Sequence, residues 1–88
     1  MFEMTKQALR AFMVESFLFG EETGLPSDTE SLIGAGIIDS TGVLELVAFI
    51  EDRFGFTIAD TDIVPDNLDS IDNIAAFVGR NIPNAAAA

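Results

Sequence analysis

Apolar residues recur at helical spacing in three stretches of the chain. Leu9, Phe12, Met13, Ser16 and Phe17 make one mostly apolar face and predict a helix over about Thr5–Leu18. Thr5 is its expected N-cap and Gly20 its stop. Val43, Leu44, Val47, Ile50 and Phe54 fall at steps of three and four and predict a second helix over Ser40–Phe54, ended by Gly55. Gly42, in its first turn, weakens that start by roughly 1 kcal/mol relative to Ala. Ile71, Ile74, Ala75 and Val78, with Phe77 beside them, predict a last helix over Ser70–Asn81. Ser70 caps it, and Asp72 and Arg80 suit the two ends of its dipole. Ala59–Val64 reads as one short helical turn stopped by Pro65. No segment alternates over strand length, although Phe56-Thr57-Ile58 extends briefly. The expected fold is all-α, a small four-helix bundle with a short third helix.

The segment from Phe19 to Asp39 does not fit a minimal bundle. Loops beyond about 12–15 residues are uncommon and often functional. Leu25, Leu32, Ile33, Ile37 and Ile38 are expected to anchor it across the bundle. Val47, Ile50, Ile58, Ile63, Leu68, Ile71 and Ala75 are expected core. The domain is expected over 1–82, with Pro83 ending the last helix and 83–88 a frayed tail.

Length and charge narrow the functional classes. The 88 residues suit one domain with a modest core. There is no His and no Cys, which excludes a Ser-His-Asp triad, thiolate metal sites and a disulfide framework. A net charge of −11 argues against nucleic acid and anionic membranes. It either steers the chain toward partners with basic patches or only keeps it soluble. Asp60, Asp62, Asp66, Asp69 and Asp72 form an acidic run without the Gly and terminal Glu of a calcium loop, and no metal is assigned to it. No apolar run reaches membrane-spanning length and no signal peptide is legible, so the protein is expected to be soluble and cytoplasmic.

The remaining chemistry centres on Asp39-Ser40, at the junction of the loop and the second helix. Position alone makes Ser40 a helix cap. The alternative is an acceptor for a modifying enzyme that brings its own base and metal. A phosphodiester on Ser40 would lie at a helix N-terminus, where free N–H groups favour an anion. Gly34, Gly36 and Gly42 are expected to leave open backbone around the hydroxyl.

The stretch "GAGIIDSTGVLELVAFIEDRFGFTI", with "NLDSIDNIAAFV" after it, resembles the acyl carrier and peptidyl carrier protein family over roughly two-thirds of the chain. The resemblance implies a four-helix carrier domain with no catalysis of its own. It implies a 4'-phosphopantetheine arm on Ser40, delivered from coenzyme A by a magnesium-dependent phosphopantetheinyl transferase, with Asp39 assisting. Expected partner docking falls on Thr41, Leu44, Glu45, Ala48, Glu51 and Asp52, although a merely solvated acidic face is the other reading of the carboxylates. Thr41 and Gly42 depart from the family pattern, which usually has Leu after the serine; this points to a dedicated system rather than general fatty-acid synthesis. The functional expectation is a freestanding, monomeric acyl carrier in a specialised lipid or secondary-metabolite pathway. Its partners are the transferase and ligase or synthase enzymes with basic docking patches. The alternatives are an aminoacyl or peptidyl carrier loaded by an adenylating ligase, and an unmodified acidic interaction module.

Overall fold

The computed structural model describes residues 2–81. Four α-helices follow in order: α1 (Phe2–Phe17), α2 (Ser40–Phe54), α3 (Pro65–Leu68) and α4 (Ile71–Asn81). Short 3₁₀ turns at Glu22–Gly24 and Asp60–Asp62 interrupt the connections, and no strand occurs among the described residues. No helix among them is long and apolar enough to cross a membrane. The all-helical expectation holds. The expected boundary at residue 82 and the tail at 83–88 lie outside the described residues.

α4 carries the core. Ile71, Ile74, Ala75, Phe77 and Val78 are all buried, and the helix packs along α1 and α3. Ser70 is its cap, its Oγ accepting from the Asn73 N–H at 3.1 Å. From α1, Leu9, Met13 and Val14 are buried; Phe12 and Phe17 are half-buried and Ser16 is exposed. Phe12 stacks on Phe49 at 4.2 Å between centroids, which couples α1 to α2.

Three expectations about elements are corrected. α1 begins at Phe2, so Thr5 is a buried residue inside the helix and not its cap. The short third helix lies at Pro65–Leu68, with only a 3₁₀ turn at Asp60–Asp62 before it. Pro65 opens α3 at a first-turn position, where its missing N–H costs nothing, instead of stopping a helix before it. Finally, Val43, Val47, Ile50 and Phe54 of the expected α2 stripe lie in the core or against it, but Leu44 does not and Leu46 takes its place. Leu46 and Ile50 are fully buried with Gly42, Val43 and Val47 are half-buried, and Leu44 is 64% exposed.

The loop from residue 18 to 39 is fastened at both ends. Leu32 and Ile38 enter the core, Leu25 and Ile37 pack against it, and Ile33 stays at the surface, contrary to its expected role as an anchor. The Asp28 carbonyl accepts from the Asp72 N–H at 3.0 Å, and the Asp69 carbonyl from the Leu32 N–H at 2.6 Å. The Asp69 carboxylate accepts from the Ser31 hydroxyl at 2.5 Å and the Ile33 N–H at 2.8 Å. Lys6 pairs with Asp72 at 2.6 Å, so two members of the acidic run serve in structure.

Arg10 holds the loop from the other side, donating from Nε to Asp28 Oδ1 at 2.9 Å and from a terminal nitrogen to Oδ2. The Arg10 hydrogen bonds hold the Asp28 carboxyl below its ordinary 3.8, against a smaller upward push from burial; the charges of Arg10 and Lys6 add to the lowering. The contribution of this pair is therefore complete at neutral pH and is lost as pH falls below about 4, through the lowered value. Asp28→Asn is expected to cost about 1 kcal/mol at pH 7, with the gap from wild type closing as pH falls through the lowered carboxyl value. Urea melts across that range check it. A gap that persists in acid assigns the effect to packing.

Candidate functional site

The start of α2 is built around Asp39. Its backbone is extended, its carbonyl accepts from the Val43 N–H at 2.9 Å, and its Oδ1 accepts from the Gly42 N–H at 2.8 Å. Asp39 is therefore the N-cap and Ser40 the first helical residue, which corrects the capping role read for Ser40 from position alone. Ser40 is exposed, and its hydroxyl makes no hydrogen bond among the described residues. The N–H groups of the first two helical residues, Ser40 and Thr41, have no partner within the helix. A free hydroxyl thus stands beside free donors at the positive end of a 15-residue helix.

Gly42 does not open this site; it is buried and lets the site be compact. A Cβ there would lie 3.1 Å from Phe17 Cε1, 3.3 Å from Ile38 Cβ and 3.5 Å from Asp39 Oδ1. The end of α1 thereby rests against the first turn of α2. Helix propensity alone favours Gly42→Ala by about 1 kcal/mol. Here Ile38 is packed in the core and cannot retreat, so the substitution is expected to destabilise by about 1 kcal/mol. A thermal melt of the variant decides between the two signs.

Two surfaces leave Ser40. Val43, one turn on, faces an apolar cavity of about 140 Å³ that it lines with Ile33, Ile63, Val64, Pro65 and Leu68. This cavity was not legible in sequence, because its walls come from three separated segments. On the other side Thr41, Leu44, Glu45, Ala48 and Asp52 are all exposed at spacings of three and four, one continuous strip of α2. Glu51 departs from that strip. It is half-buried and its carboxylate accepts from the Ile58 N–H at 2.8 Å, tying down the chain after α2. Just before, Gly55 ends the helix at a φ of +77°, with its N–H on the Glu51 carbonyl at 3.0 Å. Gly34 and Gly36 are exposed in the loop, but their N–H groups donate within it, to Ser31 Oγ at 2.8 Å and the Ile33 carbonyl at 3.0 Å.

No group of three or more acidic residues among the described residues is arranged to hold a metal ion. Of the four basic residues, Lys6 and Arg10 pair with carboxylates, Arg80 donates to Asn67 Oδ1 at 3.0 Å, and Arg53 lies over the Phe54 ring. The exposed strip of α2 therefore presents an anionic surface.

Residues 17–78 match the family described as the phosphopantetheine attachment site, and the chain belongs to that family of acyl and peptidyl carrier domains. Comparison with curated proteins returns no match. The group attached in this family is 4'-phosphopantetheine. The site suits it: a free hydroxyl to bond, two unpaired N–H groups to meet a phosphate, and an apolar cavity one helical turn away.

Proposed function

We propose that this protein is an acyl carrier in which Ser40 holds the phosphopantetheine arm. The observation that supports this best is the division of roles at the helix start: Asp39 makes the cap, which leaves the Ser40 hydroxyl without a structural partner. In the loading step the Ser40 oxygen bonds to the phosphorus of coenzyme A that bears the pantetheine. The pyrophosphate bond breaks, the nucleotide half leaves, and the serine proton passes to a base of the transferase. Once attached, the group supplies a thiol that carries acyl cargo as a thioester.

The chain's own residues then do three things. The helix start receives the phosphate charge. The apolar cavity of about 140 Å³ beside Val43 offers contact to an apolar part of a cargo. The strip of Thr41, Leu44, Glu45, Ala48 and Asp52 meets basic patches on partner enzymes. The polar Thr41 beside the serine suits a dedicated set of partners in a specialised lipid or secondary-metabolite pathway, in the cytoplasm.

The test is an intact mass after incubation with coenzyme A, magnesium and a broad-specificity phosphopantetheinyl transferase. A gain of one phosphopantetheine supports the reading, and no gain on folded protein overturns it. Modified protein that candidate ligases and ATP load with an amino acid, and with no fatty acid, overturns the acyl assignment and leaves an aminoacyl carrier.

A further inference from the structure

The end of α1 carries a side chain that the fold does not use. Phe19 is 96% exposed, while Phe12, Phe17, Phe49, Phe54, Phe56 and Phe77 all lie in the core or against it. Its backbone is in the left-handed region at a φ of +54°, followed by Gly20 at +84°. A bulky residue with that φ is an outlier, because its Cβ crowds the following carbonyl. The turn itself needs only backbone: the Gly20 N–H donates to the Val14 carbonyl at 2.9 Å. A glycine at 19 makes the same turn without strain. The chain thus holds a large aromatic ring in water, in a costly conformation, with no return inside the molecule.

Its location gives the ring a use. Phe17 rests against Gly42 in the first turn of α2, and two residues span at most about 7 Å, so Phe19 stands at the same end of the bundle as Ser40. Around it the surface is acidic. Glu15, Glu21 and Glu22 are exposed, and Glu15 and Glu22 line an open groove of about 520 Å³ with Val14, Gly20 and Leu25. Arg10 also borders the groove, but its guanidinium is committed to Asp28. An apolar ring framed by carboxylates is complementary to an apolar pocket framed by Lys and Arg.

We propose that Phe19 is a docking anchor for the phosphopantetheinyl transferase, entering an apolar pocket on that enzyme whose basic rim meets Glu15 and Glu22. The inference rests on the reading of Ser40 as the attachment residue. It extends the recognised surface from α2 to the end of α1. Aromatic anchors of this kind carry a large share of binding energy in small interfaces.

The experiment compares transfer kinetics of wild type, Phe19→Gly and Phe19→Tyr with the same broad-specificity transferase, at low and high salt. Phe19→Gly keeps the turn and is expected to melt no lower than wild type. Its kcat/KM is expected to fall about tenfold, through KM, and to stay depressed at high salt because the lost contact is apolar. Phe19→Tyr, which keeps the apolar ring, is expected to retain most of the wild-type value. A Phe19→Gly protein that loads within twofold of wild type overturns the anchor and leaves the Ser40 reading standing. Wild-type protein that gains no mass overturns both.

Discussion

Ser40→Ala is expected to abolish the mass gain completely while leaving the melting temperature unchanged. The first half follows from chemistry: alanine offers no oxygen to bond. Ser70, which also opens a helix, is buried and its Oγ is spent on the Asn73 N–H. The second half follows from geometry. The capping bond belongs to Asp39, so removing the Ser40 hydroxyl breaks no hydrogen bond among the described residues. Exposed substitutions of this kind usually stay within about 0.5 kcal/mol. Asp39→Ala is the counterpart and is expected to lose about 1 kcal/mol, the usual worth of a cap. Mass spectrometry and a melt on the two variants separate the roles. A Ser40→Ala protein that melts markedly lower returns the serine to a structural role; one that still gains mass moves the attachment elsewhere.

Leu46→Ala is expected to be the most damaging single truncation in α2, at about 3 kcal/mol. The side chain is fully buried, and its removal loses both transfer free energy and packing. A domain of this length holds only about 4–13 kcal/mol in total, so the melting point falls by about 15 °C or more. Leu44→Ala, two positions away, is expected to change stability by less than about 0.5 kcal/mol, since that side chain is 64% exposed. Urea titrations of the pair give a direct reading of how α2 is rotated. A larger loss at Leu44 than at Leu46 is incompatible with this fold.

That pair also shows where the sequence misleads. The ends of α2 and the Ser70 cap are legible, because caps, Gly55 and apolar spacing act locally. The direction of α2 is legible only in part. Val43, Val47, Ile50 and Phe54 do lie in the core or against it, but the helix is apolar on much of its circumference, and Leu44 and Leu46 compete for the remaining place. What selects Leu46 over Leu44 is tertiary: Gly42 is the one position in the first turn small enough to admit Phe17 and Ile38. The placement of α3 is not legible for a related reason. Pro65 read as a stop, yet proline suits a first turn equally well, and only the chain path decides. At the site, the Asp39-Ser40 pair was visible as a motif, but which of the two makes the cap depends on backbone angles that sequence does not print. Glu51 likewise carries the composition of a docking residue, and only its bond to Ile58 shows that it is occupied.

The cap on Asp39 has a consequence for how such a protein is supplied to its pathway. On the proposed reading stability and chemistry sit on adjacent but separate residues, so the chain is expected to fold before the arm is attached. Cellular triage by chaperones and proteases responds to unfolding and has no purchase on the difference. Unmodified molecules therefore persist and show the same exposed strip of α2, occupying the enzymes that recognise it without bringing cargo. On the proposed reading, flux is then set by the modified fraction of the pool rather than by its size, and an excess of unmodified carrier is expected to compete with the loaded form for the same partners.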